Sequence, residues 1–233
     1  MKLRLKINGV IMFSAFLMVA IFPELFFRQQ RIGFLDGVAE VFGIALILFG
    51  KILRVSARGY KSEMSFNWHH LAEGGPYDLV RNPMYLGIIL ISLGVILMLF
   101  EWWAILIFFL FFALRYIYLI VKEEKALLEA FPKDYAAYQC RVPRIIPSLG
   151  YLLKKDIREY LPLRFIWVKK EIGAIIGVLF LALFLESWED IKRQGLALYL
   201  IEAKYMAMVI LLFFALTFYL AKYTLRPQKK CYS

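Results

Sequence analysis

Residues 84–100 and 102–121 form two apolar runs with a single residue, Glu101, between them. Each approaches the roughly 17–25 residues that a helix needs to cross a bilayer. One intervening residue leaves no length for an excursion into water, so the runs must return on each other as a tight antiparallel hairpin. Backbone groups in hydrocarbon have to be satisfied within the segment, which selects helices. A soluble globule is excluded.

Four further apolar runs extend the pattern, at about residues 7–27, 33–53, 172–185 (a short one) and 205–221. The expected fold class is all-α, a multi-span transmembrane helical bundle of about six spans. The chain has 233 residues, 62% of them hydrophobic and only 20% charged, against about a quarter charged in soluble domains. That length suits one bundle without a large soluble domain. Three regions follow: 1–73 with spans one and two, 74–150 with the hairpin and its flanks, and 151–233 with a surface segment and a further two-span hairpin. Within 154–170, basic, aromatic and aliphatic residues alternate, as in an amphipathic piece on the membrane surface or a plain basic connector.

With the N-terminus inside, 24 of the 29 Lys and Arg fall to the inner side, leaving Arg28, Arg31, Lys192, Arg193 and Lys204 outside. Positive charge marks the cytoplasmic side, so N-in, C-in is expected. The membrane is then a bacterial or archaeal inner membrane or the endoplasmic reticulum. The start, Met1-Lys2-Leu3-Arg4-Leu5-Lys6 and an apolar run, resembles a signal peptide. Phe22-Pro23-Glu24 follows where small residues would mark cleavage, so an uncleaved first span is expected.

The net charge of +11 sits between apolar runs, where it meets anionic headgroups; no basic–aromatic module speaks for nucleic acid. Cys140 and Cys231 have no metal or redox spacing. His69 and His70 point apart on a helix with no third ligand near, so no metal is expected. Asp36 and Glu40, one helical turn apart near the outer end of span two, read as solvated side chains.

The flanks of the hairpin carry the chemistry. Before it stands Gly74-Gly75-Pro76-Tyr77-Asp78-Leu79-Val80-Arg81-Asn82-Pro83-Met84-Tyr85. Asn82 and Pro83 are favoured at N-cap and first helical positions. The N–H groups of a helix start, with Arg81 beside them, suit a carboxylate or phosphate. Gly74 and Gly75 supply a turn that can pass close to a ligand. After the hairpin stand Glu123 and Glu124 at a helix C-terminus, where the dipole disfavours negative charge. Something cationic must compensate, either Lys122, Lys125 or Arg115, or the ammonium or sulfonium of a ligand. Tyr135 and Tyr138, three apart, share a helix face, and Arg141, Val142, Pro143 and Arg144 follow. These aromatics and arginines serve as interfacial anchors or line a pocket for an aromatic base and an acidic substrate.

Taken in order, GPYDLVRNPMYLG, the hairpin and EEKALLEAFPKDYAAYQCRVPRIIP resemble the integral-membrane methyltransferases, a superfamily that includes isoprenylcysteine carboxyl methyltransferase and phospholipid methyltransferase. The resemblance covers about 75 residues. It implies S-adenosylmethionine as cofactor, with Glu123 and Glu124 at its ammonium and ribose hydroxyls, Arg81 and Asn82 at its carboxylate, and Tyr77, Tyr85, Tyr135 and Tyr138 at adenine or the pocket wall. Two positions depart from the family pattern. Its RHP histidine is Asn82, which hydrogen-bonds but does not titrate, and a usual glycine is Pro132. The last two spans lie outside the resemblance.

The function implied is methyl transfer to a lipid or lipidated acceptor at a site facing the cytoplasm, with membrane lipids as partners. A carboxylate acceptor of the isoprenylcysteine kind is already ionised at neutral pH and needs no base. Arg141 or Arg144 would hold it, with a lateral gap between spans for its apolar tail. Two alternatives share the helical core: a nicotinamide-dependent sterol-type reductase, and a membrane protein that keeps the fold without the activity.

Overall fold

A computed structural model of the chain describes residues 21, 23–27, 34–64, 71–148, 150, 157–169, 171, 173, 175–177, 180 and 196–223. Every regular element among them is helical, apart from one isolated bridge between Phe27 and Phe100. The principal helices are α1 (Phe34–Met64), α2 (Pro83–Leu99), α3 (Trp103–Ala130), α4 (Pro132–Arg141) and α5 (Leu196–Tyr223). By length and composition α3 is the one described helix able to cross a membrane, and Pro83–Leu99 and Ala207–Tyr219 are shorter apolar helices. Spans two, three, four and six thus fall on helices. Spans one and five lie largely outside the described residues, as do His69, His70 and Cys231.

The hairpin differs from its expected form. The main partner of α2 is α1, and α3 contributes little to it. Leu106, Ile107, Phe109, Leu110 and Phe111 of α3 are exposed, as suits a lipid-facing helix. Helices α2 and α3 meet at the Glu101 turn and again near the start of α2, where Tyr85 lies edge to face at 5.4 Å with Tyr116, midway along α3.

Glycines explain the preference for α1. Gly43 and Gly50 on α1 oppose Gly94 and Gly87 on α2, each pair seven residues apart, so the helices run antiparallel. A Cβ on Gly43 would stand 2.8 Å from the Gly94 carbonyl oxygen, and one on Gly50 2.8 Å from that of Gly87. Small residues let backbones approach where no hydrophobic force drives helices together. This seam, readable from its spacing, was not anticipated.

Within α3, residues Ala113–Ile117 form a π-turn. Such turns insert an extra residue into an α-helix and recur at functional sites. Helix α4 begins with Pro132 at its first position, where a missing N–H costs nothing. It ends before Val142-Pro143, since the residue preceding proline disfavours the α region.

Part of the 154–170 stretch is core rather than surface. Tyr160, Leu161, Leu163 and Trp167 are buried against α1. Trp167 packs over Gly59 and donates to Glu63 at 2.9 Å, where Arg164 also donates at 2.7 Å. Ser56 donates to the Pro162 carbonyl at 2.7 Å. Glu40, expected in solvent, is buried at 6% exposure; the side chain of Asp36 lies outside the described residues.

Candidate active site

Two strands of irregular chain meet at the start of α2. The Arg81 N–H donates to the Pro143 carbonyl at 2.8 Å and the Asn82 N–H to that of Arg144 at 3.2 Å. Residues 62 apart in sequence are thereby fixed side by side. The Asn82 carbonyl accepts from Tyr85 and Leu86, opening the helix. Its side chain makes no capping bond. Instead Nδ2 donates at 3.2 Å both to Oε1 of Glu124 and to the Arg144 carbonyl. Asn82 therefore starts the helix with its backbone and reaches α3 with its amide.

Glu124 is the hub. Its side chain is 6% exposed, and Oε2 accepts from Nε of Arg144 at 3.1 Å and Nη2 at 2.9 Å. The cations that pair with Glu124 are Arg144 and Arg81, which come from outside its own helix. Helix position explains this, because Lys122 and Lys125 are exposed on a different face from Glu124. A buried carboxylate is tolerable only when paired and hydrogen-bonded. Nε of Arg81 lies 3.5 Å from Oε1 of Glu124, within ion-pair range. It forms no hydrogen bond, the one such buried side-chain nitrogen or oxygen among the described residues. An unsatisfied buried donor costs about 1–3 kcal/mol.

Glu123 points the other way. It is exposed and accepts from the Tyr85 hydroxyl at 3.1 Å. The acidic pair is thus divided, one carboxylate enclosed by cations and the other open.

The remaining tyrosines form a buried platform. Tyr77, Tyr135, Tyr138, Ala57 and Val142 pack together, with the Tyr135 and Tyr138 rings 5.9 Å apart. Tyr135 and Tyr138 are 1% and 3% exposed, and the Tyr138 hydroxyl donates to the Tyr77 carbonyl at 2.6 Å. The structure brings them to the site's underside as packing groups. Gly74 and Gly75 take positive φ, 94° and 57°. The group they pass closely is the Tyr60 ring, since a Cβ on Gly74 would meet its hydroxyl at 2.6 Å. Tyr60 in turn donates to the Glu73 carbonyl at 2.9 Å. Arg141 is mostly exposed and donates to Glu73 at 3.0 Å.

Burial raises the pKa of the Tyr77, Tyr135 and Tyr138 phenols, and nearby carboxylates add to the effect. For Tyr138 the neighbouring phenols of Tyr135 and Tyr77 also raise it. An acid with a raised folded pKa stabilises the fold below its unfolded pKa, about 10 for tyrosine. Above that pH the unfolded chain ionises while the folded one does not, so stability falls as pH rises. The thermal midpoint in detergent is expected to drop from pH 9 to 11, and less steeply in Tyr138→Phe. Equal slopes in the two proteins would remove this explanation.

The site's elements all fall near one stretch of sequence. Residues 38–134 match the phospholipid methyltransferase family model. The match is under half of the chain, and it supports the resemblance to the membrane methyltransferase superfamily. It begins within α1 and takes in the glycine seam, Arg81, Asn82, Glu123 and Glu124. It stops short of Tyr135, Tyr138, Arg141 and Arg144. No curated protein and no solved structure matches the chain. Among the described residues no cluster of His, Cys, Asp and Glu is suited to a metal.

Proposed function

We propose that this protein is an S-adenosylmethionine-dependent methyltransferase acting on a lipid or lipidated acceptor, with a carboxylate of the isoprenylcysteine kind as the favoured nucleophile. The observation that carries the reading is the buried Arg81 Nε, which faces Glu124 without a hydrogen-bond partner, while the next residue in the chain, Glu123, keeps its carboxylate open. A donor for a carboxylate and an acceptor for an ammonium are what the amino-acid end of the cofactor requires.

The residues divide their work. Arg81 would receive the cofactor carboxylate, and Glu123 with Tyr85 the ammonium. Glu124, already occupied by Arg144 and Asn82, holds Arg81 in place. Tyr77, Tyr135 and Tyr138 fix the chain beneath. The bound cofactor would supply an electrophilic methyl group on a sulfonium. Arg141, mostly exposed while it shares Glu73, is the cation able to orient an acceptor carboxylate. That nucleophile needs no proton removed, so Asn82 in place of a titrating histidine is compatible with it. The protein's contribution is then alignment and exclusion of water.

Calorimetric titration of the purified protein tests the reading. S-Adenosylmethionine is expected to bind, and Arg81→Ala to weaken it about 10- to 100-fold, the equivalent of about 1.5–3 kcal/mol for a charged hydrogen bond. His69→Ala is expected to bind as the unaltered protein does. Binding of a nicotinamide cofactor without S-adenosylmethionine would favour the reductase instead. The saturation of Glu124 by Arg144 and Asn82 favours one other reading, a retained fold without activity. Absence of affinity for either cofactor is its signature.

A further inference from the structure

An apolar groove of about 450 Å³ opens between α1, the helical residues 165–169 and 175–177, and α5. That volume lies within the roughly 300–1,000 Å³ typical of small-molecule sites. Ile52, Val55, Val168, Ile175 and Phe213 form its floor, and among the described residues the one polar lining residue, Thr217, spends its hydroxyl on the Phe214 carbonyl. Its mouth is apolar too, with Phe165, Ile176 and Phe218 each at least half exposed. The described wall is apolar and favours an apolar occupant.

The rim is charged, for a reason visible in the sequence. Ile52 and Val55 face the groove, while Lys51, Arg54 and Arg58 stand on the adjoining edge of α1 at helical spacing. Opposite, Glu171 lies between Val168 and Ile175 on one helix edge. It pairs with Arg58 and acts electrostatically on Lys51 and Arg54. Arg54 and Arg58 therefore stand with Glu171 beside an apolar slot, Lys51 itself being buried. Arg54 also stands in electrostatic contact with Tyr116, whose ring lies against Tyr85 at the candidate active site.

We infer that this groove is a binding site for an anionic glycerophospholipid, one acyl chain lying among Val55, Val168 and Phe213 and the phosphate facing Arg54 and Arg58. An apolar chain supplies affinity through buried surface, and the two arginines at the rim favour an anionic head. The site lies largely on the C-terminal segment, beyond the matched residues, and stands whether or not methyl transfer is the chemistry.

Native mass spectrometry of the full chain in detergent, with dioleoyl phosphatidylglycerol and dioleoyl phosphatidylcholine as competing probes, decides it. One phosphatidylglycerol is expected to be retained with at least about a 10-fold preference. Arg58→Gln, which keeps hydrogen-bond donors and loses the charge, should cut the preference to within about 3-fold. Ile176→Trp, at an exposed lining position, should lower occupancy by either lipid about 10-fold, and Thr217→Trp serves as a second filling variant. Equal retention of the two lipids, or occupancy indifferent to both tryptophans in folded protein, overturns the proposal. Because the readout is lipid retention, loss of S-adenosylmethionine binding would sink the functional reading and leave this one intact.

Discussion

Glu124→Gln is expected to destabilise the protein by about 2–3 kcal/mol and to weaken S-adenosylmethionine binding at the same time. The carboxylate is nearly enclosed and receives Asn82 and two nitrogens of Arg144, with Arg81 alongside. Removing one partner of a buried pair typically costs about 3–5 kcal/mol, because the other charge is left uncompensated. The lower figure applies here since the Arg144 side chain is 49% exposed and water replaces part of what it loses. Arg81 has no such recourse, being 11% exposed. The thermal midpoint in detergent measures the loss, and a double-mutant cycle with Arg144→Gln isolates the coupling. A coupling energy near zero would mean that the ion pair holds nothing together. If stability falls and cofactor affinity does not, Glu124 is a staple of the fold alone.

Gly94→Leu is expected to prevent accumulation of folded protein, and Gly94→Ala to cost about 3 kcal/mol. Inserting carbon into a packed interface typically costs about 1–3 kcal/mol. Here the new atom meets the Gly43 carbonyl oxygen on the facing helix, together with the Ile47 side chain. Backbone cannot swing aside as a side chain can, so the upper end of the range applies. Gly37→Ala on α1 is the control, since its Cβ would meet nothing within 4 Å and alanine favours the helix. Melting of Gly94→Ala at the temperature of Gly37→Ala would show the seam to be looser than its backbone spacing indicates.

The two variants mark what the sequence disclosed. The union of Asn82 with the acidic pair was readable, because a helix start and a helix end joined by a hairpin must come back to the same side. The identity of the compensating cation was not. Reasoning along the chain offers Lys122, Lys125, Arg115 or a ligand cation, whereas Arg144 arrives from 20 residues away by the Val142-Pro143 return. Tyr135 and Tyr138 were legible as a shared helix face, but an adenine slot and a packed interior call for the same aromatic residues. Only burial separates those readings. The partner of α2 was hidden for another reason: hydropathy locates apolar runs and ignores which of their faces touch. Gly43, Gly50, Gly87 and Gly94 carried that information in their spacing. Glu40 was misjudged because a position near the end of a run was equated with contact with water.

The π-turn at Ala113–Ile117 makes the two carboxylates of α3 interpretable as a matter of phase. One residue more or less in a helix turns everything downstream by about 100° and shifts it by about 1.5 Å. Glu123 and Glu124 differ by that same angle. Wound as regular α-helix, the same residues 113–117 would carry Glu123 round to the phase that Glu124 now holds, whereas a single-codon deletion that restored regular winding would remove the extra residue and leave both acids facing as they do. Which glutamate meets Arg144 is decided not at the glutamates but several residues earlier, by an insertion the helix has kept.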